Sequence, residues 1–244
     1  MKLKRSYLFL VSIFIFVLFA NVVVTNAMNT RFSTEELSKN DQNTFASNID
    51  ILPLTVEPPK RGIQCFDVNE QGMIVVGQKG THGKEICIYS SDGTFLYGYT
   101  FNCTGSFGVE WDEENLNICF VRSSVIVSVT PKGEISDISE VKNTIENNSH
   151  MNDLLYSNSR IVGGTKYLIK NDMGILNLFA SSYSQLIVKD STGAESIIYD
   201  VSSMQLSNMI VTISIVCVFV SVAIAAITWQ FIKLRRGKQS EDSN

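Results

Sequence analysis

Histidine is nearly absent from this chain, and its scarcity argues against the commonest metal and hydrolase sites. His82 and His150 are the only two histidines in 244 residues. Zinc sites and Ser-His-Asp hydrolases draw on histidine, and no two cysteines are spaced as C-x-x-C. Gly-x-Ser-x-Gly and phosphate-loop motifs are also missing. We therefore expect no cofactor, no metal ion and no catalytic residues of these kinds.

An excess of positive charge is also lacking in the middle of the chain. Residues 28–208 contain 13 lysines and arginines but 22 aspartates and glutamates. An acidic surface repels the phosphate backbone of DNA and RNA. We therefore expect that nucleic acid is not a partner.

An uncharged run near the amino terminus predicts export. Residues 6–24 follow three basic residues and precede small residues at Thr25 and Ala27. This order is typical of a secretory signal peptide over residues 1–27, cleaved after Ala27. Because the run is longer than a usual signal sequence requires, an uncleaved amino-terminal anchor is the alternative.

A second uncharged run, residues 209–232, predicts a transmembrane helix. About 20 apolar residues cross the hydrocarbon core, and Trp229 suits the interface near the end of the run. Four basic residues follow within 233–244. Because positive residues stay in the cytoplasm, we expect a basic cytoplasmic tail and residues 28–208 outside the cell membrane. The topology is single-pass, of type I if the signal is cleaved.

Residues 28–60 are polar and show no sustained strand pattern. Ser33 and Glu36 have the spacing of a capping box for a short helix. Three prolines between residues 53 and 59 interrupt regular structure. We predict a polar arm or stalk over this segment.

Residues 61–205 have the apolar period of β-strands, written as a repeated unit. The first copy reads IQCFDV, MIVVG, EICIYS and FLYGYTF, and the second reads FGVEWD, LNICFVR, VIVSVT and EISDI. A third, more irregular copy contains RIVGGTKYLIKND, GILNLFA and QLIVKDSTGAESIIYD. The turn glycines Gly93, Gly133 and Gly193 align across the copies. The polar stretch EVKNTIENNSHMNDLLYS between copies two and three predicts a helix.

The first copy resembles a known family. FDVNEQGMIVVG followed by EICIYSSDGTFLYGY is similar to one blade of an NHL-type β-propeller, and the resemblance extends through residues 62–138 and, less well, 160–201. It implies an extracellular, propeller-like stack of four-stranded antiparallel sheets. Propellers usually close with about four or more blades, so a partial or small propeller is expected. A β-sandwich is the alternative, and two chains completing one ring would form a homodimer.

A protease-like motif has a simpler interpretation. Arg160-Ile-Val-Gly-Gly resembles the activation site of a trypsin-like zymogen, but no histidine follows Arg160, and such a protease requires one there. We therefore predict a tight hairpin at Gly163 and Gly164, where both residues take positive φ.

The cysteines outside the transmembrane run leave the disulfide state open. Cys65 and Cys87 would lie on the first and third strands of one sheet, too far apart for an S–S bond. Cys103 could pair with Cys119 or with Cys65. Buried free thiols are the alternative.

Aromatic and acidic side chains give two candidate sites. The aromatic residues Tyr97, Tyr99, Phe107 and Trp111 predict a binding face, although ring residues on strands also form cores. A second group consists of acids that would lie at strand ends, Asp67, Glu110 and Asp112.

These observations favour a membrane-anchored extracellular binding or assembly module without a recognisable catalytic site. Its expected partner is another protein or an envelope component. One alternative is an extracellular propeller-type hydrolase or lyase that uses the three acids. The other is a structural subunit of an envelope complex.

Overall fold

A computed structural model describes residues 28–241, with side chains described as far as residue 230. The predicted signal peptide or anchor, residues 1–27, lies outside the described residues. The described chain contains three antiparallel sheets. Three α-helices accompany them, α1 (Lys39–Ile49), α2 (Ile145–Tyr156) and α3 (Ser202–Glu241).

The strands are numbered in chain order, and each sheet contains one copy of the repeat. The second sheet has the order β1-β10-β9-β8-β7, and it consists of β1 (Thr34–Glu36), β7 (Phe107–Asp112), β8 (Asn115–Phe120), β9 (Val125–Val129) and β10 (Ile135–Val141). The first sheet has the order β2-β6-β5-β4-β3, and it consists of β2 (Leu52–Leu54), β3 (Ile63–Val68), β4 (Ile74–Lys79), β5 (Lys84–Tyr89) and β6 (Phe95–Phe101). The third sheet has the order β11-β12-β13-β14, and it consists of β11 (Ser159–Val162), β12 (Thr165–Lys170), β13 (Gln185–Lys189) and β14 (Glu195–Asp200).

The repeated hairpin is confirmed in all three sheets. In the turn between the third and fourth strand of each copy, a glycine N–H donates to the carbonyl three residues earlier, from Gly93 to Ser90 (3.0 Å), Gly133 to Thr130 (2.8 Å) and Gly193 to Asp190 (3.0 Å). The three glycines have φ of 86°, 85° and 87°. Side chains with a Cβ rarely adopt this conformation, so the turn explains why glycine recurs at this position. The tight hairpin at Gly163 and Gly164 is also confirmed, with φ of 55° and 80°.

The sheets stack face to face, with the first sheet in the middle. One face of the first sheet packs on the second sheet through a core that includes Val75, Ile86, Phe107 and Ile118. The opposite face packs on the third sheet through residues such as Phe66, Tyr89, Leu186 and Tyr199. Burial of each such side chain contributes about 1.5–3 kcal/mol. Among the described residues, no core cluster joins the second sheet to the third.

Residues 28–60 are folded onto the sheets, so the prediction of a polar arm or stalk is corrected. β1 pairs with β10, and β2 pairs with β6. Ile49 of α1 is buried in the core between the first and second sheets. Helix α1 begins after Ser38, whose side chain accepts a hydrogen bond from Asp41 N–H. The predicted capping box does not start a helix, because Ser33 precedes β1 and Glu36 is the last residue of β1. Three-residue strands on sheet edges are too short for a visible period, and Pro53 is tolerated on such an edge.

The third repeat also departs from its expected form. GILNLFA folds as a 3₁₀ helix over Gly174–Phe179 and not as a strand. The predicted helix between copies two and three is confirmed as α2. It covers the outer face of the second sheet together with residues 28–32, where Phe32 and Leu154 are buried.

Helix α3 is long and apolar enough to cross a membrane. Its apolar part, Ser202–Gln230, is not buried against the rest of the described chain, which excludes a core helix of this domain. Only Val201 separates α3 from β14. Gln205 Nε2 donates to Ser182 Oγ (3.1 Å) and to the Tyr183 carbonyl (3.3 Å), so the first turn of α3 is held against the third sheet.

Candidate functional site

The three acids proposed from the sequence lie on the first strands of the first and second sheets. Asp67 lies on β3, whereas Glu110 and Asp112 lie on β7 on either side of Trp111. Glu110 and Asp112 are 5% and 9% exposed. Carboxylates are costly to bury unless they are paired or hydrogen-bonded, so their partners decide what they can do.

Asp67 is paired with an arginine from the third sheet. Arg160 Nε lies 3.1 Å from Asp67 Oδ1, and the guanidinium carbon lies 5.4 Å from the centre of the Phe66 ring. Asp67 Oδ2 accepts the Trp111 backbone N–H at 3.0 Å. Burial raises the pKa of Asp67 above its ordinary value, although the Trp111 N–H and the Arg160 charge act in the opposite direction. The pair links β3, β7 and β11.

Glu110 and Asp112 hold the amino-terminal segment of the described chain. Glu110 accepts the Thr30 hydroxyl, and its Oε2 lies 2.9 Å from His150 Nε2. Asp112 accepts the Asn29 backbone N–H at 2.9 Å. Asn117 Nδ2 donates to the Asn29 carbonyl at 3.2 Å. These bonds connect residues 29–30 to the second sheet and to α2.

This polar cluster has the hydrogen bonds of a structural network. A glycosidase-type pair of carboxylates needs space for substrate between the two groups. Here the three carboxylates accept hydrogen bonds from protein donors, and three cavities among the described residues are lined by other side chains. Within residues 28–241, no three His, Cys, Asp or Glu side chains lie close enough to hold a metal ion.

The predicted aromatic binding face lies mostly in the core. Tyr99 and Phe107 are 1% and 2% exposed and pack between the first and second sheets, with Tyr97 and Trp111 partly buried against the same cluster. The Tyr99 hydroxyl donates to the Thr130 carbonyl at 2.7 Å. These rings stabilise the sheet interface, and Tyr99 and Phe107 are not available to a partner.

The cysteines are free thiols, so the Cys103–Cys119 disulfide is not found. Cys119 is buried under Phe32 and α2, whereas Cys103 packs beside the core on the other face of the second sheet. Because the two thiols lie on opposite faces, a bond between them would require the sheet to be rebuilt. Cys65 is buried in the core next to which Cys103 packs, and it too is a free thiol.

The thiols should differ widely in reactivity. Burial raises the pKa of Cys65 and of Cys87 to about 12 and also raises that of Cys119 and of Cys103, but Cys103 is only partly buried and is accessible to a reagent. Since the thiolate is the reactive form, we expect a disulfide reagent at pH 8 to modify Cys103 in the folded protein within minutes. The three buried thiols should react only in denaturant, and peptide mass spectrometry would identify the modified positions. Rapid modification of Cys119 in the folded protein would contradict the packing of α2.

Sequence reasoning missed an open edge on the third sheet. In the first and second sheets the fourth strand is covered, since β2 pairs with β6 and β1 pairs with β10. Within residues 28–241 the corresponding strand β14 pairs only with β13. The outer face of this sheet also exposes apolar side chains, with Ile161 73% and Ile197 56% exposed. The available signal was the strand count, because residues 28–60 supply only two edge strands for three repeats.

A cleft also lies where the sheets meet α3. It has a volume of about 690 Å³ and is lined by residues 59–62, Gln64, Lys79, residues 179–182 and the first three turns of α3. Phe179 belongs to the 3₁₀ helix, in which Ile175 and Leu178 are each 84% exposed. Sequence reasoning missed this cleft because its lining residues come from segments that are far apart in the chain.

Comparison with models of protein families and with curated proteins gave no match to this chain. The interpretation of its function therefore depends on the surfaces described above.

Proposed function

We propose that the protein is a membrane-anchored extracellular binding module whose third sheet receives a strand of a partner protein. The open edge of β14 is the observation that carries this proposal. An unpaired edge presents a row of N–H and C=O groups to which an extended segment can add. The exposed Ile197 on β14 itself gives the added segment an apolar side chain to cover.

The charges on β14 favour a partner other than a second copy of the chain. If two β14 strands paired antiparallel over all six residues, Glu195 would lie opposite Asp200. Like charges directly opposite each other destabilise a strand pair. A partner strand with an apolar centre and basic ends fits this edge better than β14 itself does.

The fold and topology proposals follow the sequence expectation. Three four-stranded meanders that pack face to face support an incomplete NHL-like propeller, with the partner extending the stack beyond the third sheet. The basic residues after the apolar part of α3 support a cytoplasmic carboxyl terminus, with residues 28–208 outside the cell membrane. A membrane-impermeant thiol reagent should therefore label Cys103 in intact cells. Labelling only after lysis would contradict this orientation.

A photo-crosslinking experiment tests the binding proposal in the full chain. A photoreactive residue at Ile197 should yield a covalent adduct of one defined mass in native membranes. The matched position is Glu140 on β10, which is exposed but paired with Glu35 of β1, and it should yield none. An adduct of twice the chain mass would show that the strand is added by a second copy of the chain and not by another protein. No adduct at Ile197 would overturn the proposal.

A charge on the third sheet should weaken the same interaction. We expect Ile197→Lys to lower the adduct yield from a photoreactive residue at Ser196 about ten-fold, since a charge placed in an apolar contact costs more than about 1.4 kcal/mol. Stability should change by less than about 0.5 kcal/mol because the side chain is exposed. Ile145→Lys, at an 84% exposed position on α2, is the control and should leave the yield unchanged. Equal yields in both variants would argue against a contact at Ile197.

A further inference from the structure

The cleft between the sheets and α3 has one basic wall and one apolar wall. The basic side carries Lys60, Arg61 and Lys79, and no aspartate or glutamate lines the cleft. The apolar side includes Phe179 and the α3 residues Met204, Met209 and Ile213. A ligand that fits both walls carries a negative group at one end and a hydrocarbon at the other.

The position of α3 places the apolar wall at the membrane surface. Met209, Thr212 and Ile213 belong to the uncharged run that begins at residue 209. A helix rises 1.5 Å per residue, so the wall from Met204 to Ile213 extends about 14 Å along the axis. The cleft therefore reaches from the water into the hydrocarbon region of a bilayer that α3 spans.

The neighbouring 3₁₀ helix supports the same placement. Its exposed apolar residues are Ile175, Leu178 and Phe179, exposed by 84%, 84% and 70%. Phe179 shares the cleft with Ile213 of α3, so this apolar surface is continuous with the apolar surface of the helix. Such a surface would be unfavourable in water, but it suits the boundary between headgroups and acyl chains.

Two of the three basic side chains that line the cleft are held by contacts within the chain, and the third is exposed. Lys60 Nζ lies 3.6 Å from Glu57 Oε1 and 5.1 Å from the centre of the Tyr199 ring. Arg61 Nη2 donates to Thr81 Oγ1 at 3.0 Å. Lys79 is exposed at the end of β4. Arginine retains further N–H donors for a phosphate after one hydrogen bond.

We propose that this cleft binds an anionic phospholipid of the leaflet that α3 enters. The phosphate lies between Arg61 and Lys79, and the acyl chains lie against Phe179, Met209 and Ile213. Basic pockets beside membrane helices recognise lipid headgroups in this way. The bound lipid fixes the tilt of the three sheets relative to the membrane, and so determines whether the open edge of β14 faces a partner. This inference depends on the membrane anchoring in the proposed function.

Native mass spectrometry of the full chain tests the proposal. The protein is taken from micelles that contain equal amounts of phosphatidylglycerol and phosphatidylcholine. We expect retention of phosphatidylglycerol over phosphatidylcholine, and we expect Arg61→Gln and Lys79→Gln each to lower that retention about five-fold, as for one basic residue near an anionic surface. Lys132→Gln makes the same charge change at an exposed turn outside the cleft and should have no effect.

Three outcomes would overturn the inference. The first is equal retention of the two lipids by the unmodified chain. The second is unchanged retention of phosphatidylglycerol by the Lys79→Gln variant. The side chain of Lys79 is exposed, so this substitution should leave the fold intact. The third is complete displacement of the lipid by millimolar inorganic phosphate, which would assign the cleft to a soluble anion. Co-flotation of the chain with vesicles separates the two proposals, since failure to float refutes the anchor, whereas floating without lipid preference refutes only the lipid site.

Discussion

Replacement of Arg160 by methionine is expected to destabilise the protein by about 3 kcal/mol at pH 7.5, because removal of one partner leaves a buried charge uncompensated. Asp67 would then keep its negative charge on β3 without a positive neighbour at 3.1 Å. Urea denaturation in detergent micelles, followed by the fluorescence of Trp111, would measure the loss. Trp111 is a suitable probe because its backbone N–H bonds to Asp67.

The loss of stability caused by Arg160→Met should become smaller as the pH falls. Burial raises the pKa of Asp67 in the folded chain, so its protonated form is favoured by folding. The corresponding contribution to stability is fully present below the unfolded pKa of about 3.9 and is lost as the pH rises through the folded pKa. Loss of Arg160 removes a charge that lowers this pKa, so the loss of stability at neutral pH becomes larger. At pH 4 the variant should therefore differ from the unmodified protein by less than at pH 7.5.

The Asp67→Asn change is the matched control for this prediction. In the Arg160→Met background it removes the unpaired charge, and we expect it to restore at least half of the lost stability at pH 7.5. A double-mutant cycle gives the coupling between the two side chains. If Arg160→Met lowers the free energy of unfolding by the same amount at pH 4 and at pH 7.5, Arg160 acts by packing on Phe66 and not by its charge.

Replacement of Gly77 by alanine should also be strongly destabilising, by about 3 kcal/mol, the upper part of the usual range for overpacking. Gly77 lies on β4, where the first sheet faces the second. An added Cβ would lie 2.5 Å from Cys65 Sγ and 2.8 Å from the Phe107 ring. Both neighbours are almost fully buried, so neither can move without disturbing the core.

Gly108→Ala provides a control on the adjacent buried strand β7. Its Cβ would lie 3.2 Å from Leu154 Cβ, a contact that a small shift can relieve. Alanine also loses less backbone entropy on folding, worth about 0.5–1 kcal/mol. We expect a change within about 1 kcal/mol, measured by the same denaturation. Similar losses at Gly77 and Gly108 would contradict the close packing of the first and second sheets at Gly77.

The local features of this protein were predictable from sequence, and the reason is that each depends on neighbouring residues. Strand period and turn glycines placed β3 to β10 closely, and the copies matched the three sheets. The fate of GILNLFA was not predictable, because a short apolar stretch is compatible with a strand or a helix.

The candidate sites were harder to predict than the strands. Tyr99 and Phe107 were open to two interpretations, as a face or as a core, because alternation shows which residues share a face but not what covers that face. The acids Asp67, Glu110 and Asp112 lie on the first strands of two sheets, and each is held by its own protein donors. Their partners, Arg160, His150 and the amino-terminal residues, are distant in the chain, so no local pattern could show that these carboxylates are occupied.

The sequence by itself determined the number of repeats, the hairpin turns and the apolar length of α3, since backbone geometry and apolar period act over a few residues. Only the tertiary structure decided which faces and edges stay open. Residues 28–60 pair with β6 and β10 but not with β14. The cleft forms only because α3 lies beside a surface loop and three basic side chains. Burial is a property of the packed chain, because it depends on which distant segments come to lie against each surface.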